Sequence, residues 1–234
     1  MFDTRVMLPS AARSLETLAV RATLDPELLE QLRGSSGYEL LSVPPSLAGL
    51  FPEGGLRRGS TITVTGSSSL VLALLAEVSR RPGWCAEVGS PLLGSAAAAE
   101  TGVALERFVR VAEPGEQWPS VVASLLEAFE LVVVHPPPRA READMRRLSA
   151  RARERSAVLL IATEADAGKP GARSSTWPGG QLGLCVLGQR WHGLGAGHGY
   201  LRSRELDVQV MGRGAAARPR RATVWLPRAL DEAS

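Results

Sequence analysis

The chain has 234 residues, of which 44% are hydrophobic and 22% are charged, and its formal net charge is +3, values that are ordinary for a globular protein. No apolar run approaches the roughly 18 residues that a membrane-spanning helix needs, and the first residues lack the basic-then-apolar order of a signal peptide. These observations exclude a membrane-spanning class and predict a cytoplasmic protein.

Residues 1–37 are predicted to form an N-terminal helical arm. Leucines recur at helical spacing over residues 10–33, and Asp25-Pro26 suits the cap and first turn of a second helix. The pattern fits helices that pack on the body of the protein, and it fits equally an arm that docks on a neighbouring subunit. The body is predicted to span residues 38–228, followed by a flexible tail over residues 229–234.

The body is organised around a strand, a turn of small residues and a helix. Thr61–Thr65 consists of β-branched residues, which suits a buried strand. Gly66 permits a sharp turn, and Ser67, Ser68 and Ser69 offer N-cap hydroxyls to the helix that follows. Phosphate-binding loops are built on this frame, because backbone N–H groups and a helix N-terminus face the anion there.

The turn itself lacks the residues of a phosphate-binding loop. Such a loop has four residues between its glycines and then a lysine, whereas three serines separate Gly66 from Leu70. The one lysine of the chain is Lys169. We therefore predict a degenerate loop at Gly66–Ser69, in a nucleotide-binding frame that has lost its phosphate chemistry.

Strands and helices are predicted to alternate from residue 84 to residue 163. Leu131–Val134 and Ala157–Thr163 are continuous apolar runs, which are typical of strands buried on both faces of a parallel sheet. The remaining predicted elements are strands Trp84–Val88 and Phe108–Val111 and helices 95–105, Trp118–Phe129 and Arg139–Arg155. The alternation predicts a mostly parallel sheet covered by helices.

The pattern changes after Glu164. Residues 164–181 are polar and rich in Gly and Pro, which predicts a loop. Trp177 within this loop either tucks onto the body or contacts a partner, since exposed Trp is concentrated at interfaces. An antiparallel extension of the sheet is predicted from three strands without helices between them, Leu182–Trp191, Leu206–Met211 and Ala222–Leu226.

Two basic features remain, the helix 139–155 and the turn 212–221. The turn contributes Arg213, Arg218, Arg220 and Arg221. These arginines either form a solvated face or contact DNA phosphate or an acidic partner. No aromatic platform supports base stacking, and no reading helix supports sequence-specific recognition.

Neither the cysteines nor the histidines predict a metal site. Cys85 and Cys185 lie in apolar runs and are predicted to be buried thiols. His135, His192 and His198 lack the cysteine or carboxylate spacing of a metal site, and the last two are predicted to lie in Gly-rich loops.

Several runs resemble the RecA core. The run from Gly54 to Gly66, with the Leu-rich helix after it, is similar to the beginning of that core, and residues 102–117 are similar to its strand-to-helix segment. Leu131–His135 stands at the position of the Walker B strand. The Gly-rich loop that ends at residue 180 stands at the position of the second DNA-binding loop of RecA. The resemblance implies a three-layer RecA-like α/β core with a mostly parallel sheet, the antiparallel extension and the N-terminal arm.

The departures from RecA concern the residues that hydrolyse ATP. His135 is a degenerate Walker B position, because it stands where a strand-end Asp would help to hold Mg²⁺. No carboxylate is present near Ser90-Pro91, where the residue that activates water is expected, and Thr163-Glu164 replaces the pair that senses γ-phosphate. Phosphoryl transfer relies on lysine, metal and a positioned water. Their joint loss predicts a protein that is not an enzyme and has no cofactor.

A degenerate RecA-like chain of this size resembles the ImuA family, including its actinobacterial ImuA′ branch. The resemblance implies a non-catalytic accessory protein of the damage-induced mutasome in translesion DNA synthesis. Its implied partners are ImuB, a Y-family polymerase homologue, together with RecA and an error-prone C-family polymerase. Self-association, weak non-specific DNA contact and association with the nucleoid after DNA damage are further expectations.

Two alternatives to this function stay open. SulA-like division inhibitors, which act on FtsZ, share the degenerate core but are usually shorter at both ends. A RecA-type ATPase with unconventional ligands is the other alternative, and saturable ATP binding would reveal it.

Overall fold

The computed structural model describes residues 40–90, 94–163, 177–194 and 199–226. The predicted N-terminal arm, the predicted tail and most of the loop 164–181 lie outside the described residues. Within the described ranges, no helix is long and apolar enough to cross a membrane.

The described residues form one large sheet, a two-stranded ladder and helices on both faces of the large sheet. The strands are β1 Leu40–Leu41, β2 Leu56–Arg57, β3 Thr61–Thr65, β4 Cys85–Val88, β5 Phe108–Val111, β6 Leu131–Val134, β7 Val158–Thr163, β8 Leu182–Leu194, β9 Gly199–Gly212 and β10 Arg220–Leu226. The α-helices are α1 Pro45–Ala48, α2 Ser68–Ser79, α3 Ser95–Glu100, α4 Trp118–Ala128 and α5 Glu142–Glu154. Short 3-10 turns lie at Leu105–Arg107, Gly115–Gln117 and Gly214–Ala216.

The large sheet has eight strands in the order β10-β9-β8-β3-β7-β6-β4-β5. The six strands from β8 to β5 run parallel to their neighbours. β9 and β10 add an antiparallel edge to β8. The prediction of a mixed α/β fold with a mostly parallel sheet and an antiparallel C-terminal extension is confirmed.

The central strands are buried on both faces, and alternate side chains belong to two separate apolar clusters. On one face, Val133 and Leu160 pack in a cluster with the apolar residues of α2. On the other face, Val132 and Leu159 pack in a cluster with α4 and α5. Because successive side chains of a strand point to opposite faces, a strand between two helical layers must be apolar throughout.

All three helices predicted between residues 95 and 155 are shorter in the structure, the helix Trp118–Phe129 by one residue and the other two by more. The helix predicted over 95–105 ends at Glu100, because Gly102 follows with a φ of +91°, a conformation outside the helical range. The helix predicted from Arg139 begins at Glu142, since Ala140 N donates to Pro137 O at 3.0 Å and closes a separate turn before it.

Two of the side-chain predictions need correction. His192 lies in β8 and not in a loop, because the β8–β9 ladder continues past it, and its Nε2 is 3.2 Å from Glu205 Oε2. His198 is outside the described residues. Cys85 is a buried free thiol as predicted, and burial raises its pKa, whereas Cys185 is only partly buried.

Candidate functional site

The carboxyl ends of the parallel strands meet at one edge of the sheet, which is where open α/β sheets bind ligands. The registry places Thr65, at the end of β3, beside Thr163, at the end of β7. The hydroxyl groups of these two threonines are hydrogen bonded at 2.9 Å. We call the residues that follow the parallel strands at this position the carboxyl edge.

The β3–α2 turn forms as the sequence predicts. Gly66 has a φ of +90°, and its N–H donates to Thr163 O at 3.0 Å. Ser67 is the N-cap of α2, and its Oγ accepts from Leu70 N at 3.2 Å. Ser68 is exposed and Ser69 is half-buried in the first turn of α2. Capping by a serine of this turn is therefore confirmed.

A guanidinium from the antiparallel extension contacts the turn. Arg204, on β9, donates from Nη2 to Ser67 Oγ at 2.5 Å, and its guanidinium carbon lies 4.7 Å from the centre of the Trp191 ring. Burial lowers the pKa of Arg204. The N-terminus of α2 thus carries a cation supplied by the same chain, although a helix N-terminus is electrostatically suited to an anion.

On β4, which is separated from β3 by β7 and β6 in the sheet, a buried carboxylate is held between a histidine and an arginine. Glu87, on β4, is fully buried, and its Oε1 is 2.9 Å from His135 Nε2. Its Oε2 is 3.7 Å from Arg110 Nε, and Arg110 Nη2 donates to Ser90 O at 2.7 Å. We call Glu87, Arg110 and His135 the Glu87 cluster. Since a buried carboxylate is costly unless it is paired, the cluster explains how a charge is tolerated inside this strand.

The chemistry available to the Glu87 cluster is limited. A carboxylate–histidine pair is a common element of general acid–base catalysis. In the described residues, however, no group of three or more His, Cys, Asp or Glu side chains could hold a metal ion. Glu87 and Arg110 carry opposite charges and His135 hydrogen-bonds the same carboxylate, which is the arrangement of a structural polar network.

His135 was predicted as a site position, but its carboxylate partner was not. An acidic residue was expected near Ser90, after the end of β4, whereas Glu87 lies three residues earlier inside the strand. The sequence does mark Glu87, because it is the one carboxylate in the otherwise apolar run of β4. The sequence does not predict the contact between Arg204 and Ser67, because these residues are 137 positions apart.

Trp177 is not the exposed contact residue that one of the two interpretations assumed. Its side chain is 6% exposed and belongs to the apolar cluster that includes α4 and α5. Its Nε1 donates to Ser149 Oγ at 2.9 Å. The other interpretation, that Trp177 packs on the body of the protein, is correct. The prediction that this side chain contacts a partner directly is wrong, because the side chain is buried.

The prediction that all four arginines lie in one turn is wrong for two of them. Arg213 and Arg218 lie between β9 and β10, whereas Arg220 and Arg221 begin β10, because the ladder with β9 already includes them. Arg213, Arg218 and Arg221 are exposed, while Arg220 Nη1 donates to Phe51 O at 3.2 Å. Gly212, which precedes the turn, pairs with Leu182 at the start of β8. The turn therefore lies at the amino end of the parallel strands, opposite the carboxyl edge.

Replacing Ser67 with alanine is expected to lower the free energy of unfolding by about 1 kcal/mol, the usual cost of losing an N-cap. The substitution also removes the acceptor of Arg204. Urea denaturation followed by circular dichroism measures the change. Ser68→Ala is the matched control, because Ser68 is exposed and is not the capping residue. Equal losses in the two variants would contradict the capping role.

The fold and the carboxyl edge define a mixed α/β protein whose central strand–turn–helix unit lacks the lysine of a phosphate-binding loop. Residues 49–167 match the family described as MT3502 N-terminal domain. This match covers just over half of the 234 residues, and the chain belongs to that family. The matched range includes the β3–α2 turn and the Glu87 cluster and ends before β8.

A curated relative extends the comparison. The uncharacterized protein Rv3395c of Mycobacterium tuberculosis strain H37Rv is 36% identical to this chain over 141 residues. The aligned region covers 58% of this chain and 69% of the relative.

Proposed function

We propose that this protein is a non-catalytic, RecA-like accessory protein of the damage-induced mutasome, in keeping with its resemblance to ImuA. In this proposal it binds ImuB and supports translesion DNA synthesis. RecA and the error-prone C-family polymerase are its further partners, and it joins the nucleoid after DNA damage.

One observation carries the proposal: the turn at the position of a phosphate loop is occupied by contacts within the chain. Ser67 Oγ accepts from Leu70 N and from the Arg204 guanidinium. A phosphate loop instead presents free N–H donors and a lysine to the nucleotide. Helices on both faces of a mostly parallel sheet are compatible with the three-layer RecA-like core that the resemblance implies.

The alternative of an ATPase with unconventional ligands is tested by calorimetric titration with Mg-ATP and Mg-ADP, with RecA as the positive control. The proposal expects no saturable heat and no phosphate release. Because Arg204 keeps a cation at the turn, Arg204→Ala is the informative variant. If the wild-type protein binds ATP and Arg204→Ala does not, the proposed function is wrong and a nucleotide-dependent function takes its place.

The partner assignment is tested in cells. Affinity purification after DNA damage, with cross-linking and mass spectrometry, is expected to recover ImuB together with RecA or the error-prone polymerase. Deletion of the gene is expected to lower damage-induced mutation frequency, and expression of the chain is expected to restore it. Recovery of FtsZ without ImuB, with filamentation on overexpression, would move the protein to the SulA-like class.

Self-association and DNA contact are separate parts of the proposal. Sedimentation velocity across a micromolar concentration series is expected to show concentration-dependent assembly, and a monomer throughout would remove that part. Fluorescence anisotropy with a labelled single-stranded oligonucleotide at low and physiological salt tests weak DNA binding. A salt-dependent affinity that does not vary with sequence is the expected result.

A further inference from the structure

A pocket with a volume of about 340 Å³ opens at the amino end of β3 and β8. Apolar side chains of Phe51, Ile62 and Leu182 line it, together with the polar residues Ser60 and Arg213. The volume is at the lower end of the range for ligand pockets, about 300–1,000 Å³. The pocket lies at the edge of the sheet opposite the Glu87 cluster and the β3–α2 turn.

Ser60 contributes a buried hydroxyl that has no partner. The residue is 3% exposed, and its Oγ makes no hydrogen bond in the described part of the chain. Its backbone is satisfied, since Ser60 N donates to Arg57 O at 3.2 Å and Ser60 O accepts from Leu159 N at 3.0 Å. A buried hydroxyl without a partner destabilises a protein, and each such group calls for an explanation. An occupant of the pocket would supply the missing partner.

The rim of the pocket is positively charged. Arg213, which lines the pocket, is exposed and makes no ion pair or side-chain hydrogen bond within the described ranges. Arg220 fixes the turn against the pocket wall through its bond to Phe51 O. The opposing carboxylate at the rim is Glu53, which lies 3.8 Å from the exposed Arg57. The rim therefore offers the unpaired guanidinium group of Arg213 beside an apolar floor.

We propose that this pocket is a docking site for a short peptide segment of a partner protein, in which a large apolar side chain is flanked by Asp or Glu. The apolar side chain occupies the floor between Phe51 and Leu182. A carboxylate of the peptide pairs with Arg213, since guanidinium groups bind carboxylates with two parallel hydrogen bonds. The Ser60 hydroxyl bonds the peptide backbone. A nucleic acid would use the arginines but leave the apolar floor uncovered, so the pocket favours a peptide.

The proposal does not depend on the mutasome assignment, and it is tested with the full chain as bait for a random 12-residue peptide display library. Selection on the wild-type protein, with counter-selection on Arg213→Glu, is expected to enrich sequences with an apolar residue between acidic ones. Enrichment of no such class would overturn the proposal. A labelled single-stranded oligonucleotide that binds wild type and not Arg213→Glu, without any enriched peptide, would assign the turn to nucleic acid instead.

The most enriched sequence, made as a fluorescent synthetic peptide, is then measured by anisotropy. Arg213→Glu is expected to weaken binding by about tenfold or more, the effect of losing one charge-assisted hydrogen bond. Arg147→Glu is the matched control, because Arg147 is an exposed arginine of α5. An equal loss in both variants would show non-specific attraction and contradict the pocket.

Ser60→Ala separates a binding role from a structural one. Removing a buried hydroxyl without a partner is expected to raise the thermal unfolding midpoint, while the affinity for the synthetic peptide falls several-fold. Lower stability with unchanged affinity would show that the hydroxyl serves the fold. A version of the peptide with its apolar residue replaced by serine is expected not to bind, and equal binding would contradict use of the apolar floor.

Discussion

Replacing Trp177 with alanine is expected to lower the free energy of unfolding by about 3–5 kcal/mol, the range measured for large aromatic residues in protein cores. The side chain is 6% exposed and packs in the cluster formed by one face of the sheet with α4 and α5. A backbone turn follows it, because Gly180 N donates to Trp177 O at 2.9 Å, and this bond remains in the variant. Ser149 Oγ loses a donor in the variant and keeps its own bond to Pro178 O at 3.2 Å.

Urea denaturation followed by far-ultraviolet circular dichroism measures this loss. Trp191→Ala is the matched control, because Trp191 is 50% exposed and its main contact is the Arg204 guanidinium; we expect it to cost about 1 kcal/mol or less. The loss of unfolding free energy in Trp177→Phe is expected to lie between the losses in Trp177→Ala and Trp191→Ala, since phenylalanine keeps much of the apolar area but lacks the indole N–H. Unchanged stability of Trp177→Ala, with weakened partner binding, would restore the interpretation of Trp177 as an exposed contact residue.

Continuous apolar runs were the most informative part of the sequence. The bounds of β3, β5 and β6 agree with the prediction to the residue. β3 and β6 are buried on both faces and consist of β-branched or apolar residues, so their patterns are clear. β5 is a half-buried edge strand that includes Arg110, and its bounds follow from the apolar residues on either side of that arginine. The register and the strand order required the structure, because strand pairing depends on contacts between distant parts of the chain.

The side chains that matter at the carboxyl edge could not be assigned from pattern in the same way. Arg204 reaches Ser67 across 137 positions, and nothing in the local sequence of β9 distinguishes it from other exposed arginines. Glu87 was visible as a carboxylate in an apolar strand, but its partners became known only when β5 and β6 were placed on either side of β4. The unpaired hydroxyl of Ser60 is a property of packing and has no sequence signature.

Removing one partner of the Glu87 carboxylate is also expected to lower the free energy of unfolding strongly. Replacing Arg110 with methionine removes the cation opposite the fully buried Glu87 carboxylate and leaves only its hydrogen bond with His135 within the described residues. Losing one partner of a buried ion pair costs about 3–5 kcal/mol. His135→Leu leaves Arg110 opposite the carboxylate at 3.7 Å and is expected to cost a similar amount. Urea denaturation of each variant provides the measurement.

The variant Glu87→Leu, Arg110→Met and His135→Leu, which makes all three substitutions together, is expected to recover most of this loss. It removes every charge of the cluster at once, and well-packed apolar residues commonly replace a buried ion-pair group without a loss of stability. Recovery would show that the single variants suffer from an uncompensated charge. A triple variant less stable than either single variant would instead show that the three polar side chains contribute specific hydrogen bonds that apolar packing does not replace.

The same triple variant also tests the proposed function. A non-catalytic accessory protein needs a folded carboxyl edge but no acid, base or charge there, so the triple variant is expected to support damage-induced mutagenesis at the wild-type level. A well-folded triple variant that fails in this assay would assign chemistry or partner recognition to Glu87, Arg110 or His135. Reversion of each position in turn would then identify which side chain is required, and the proposal of a catalytically inert edge would be abandoned.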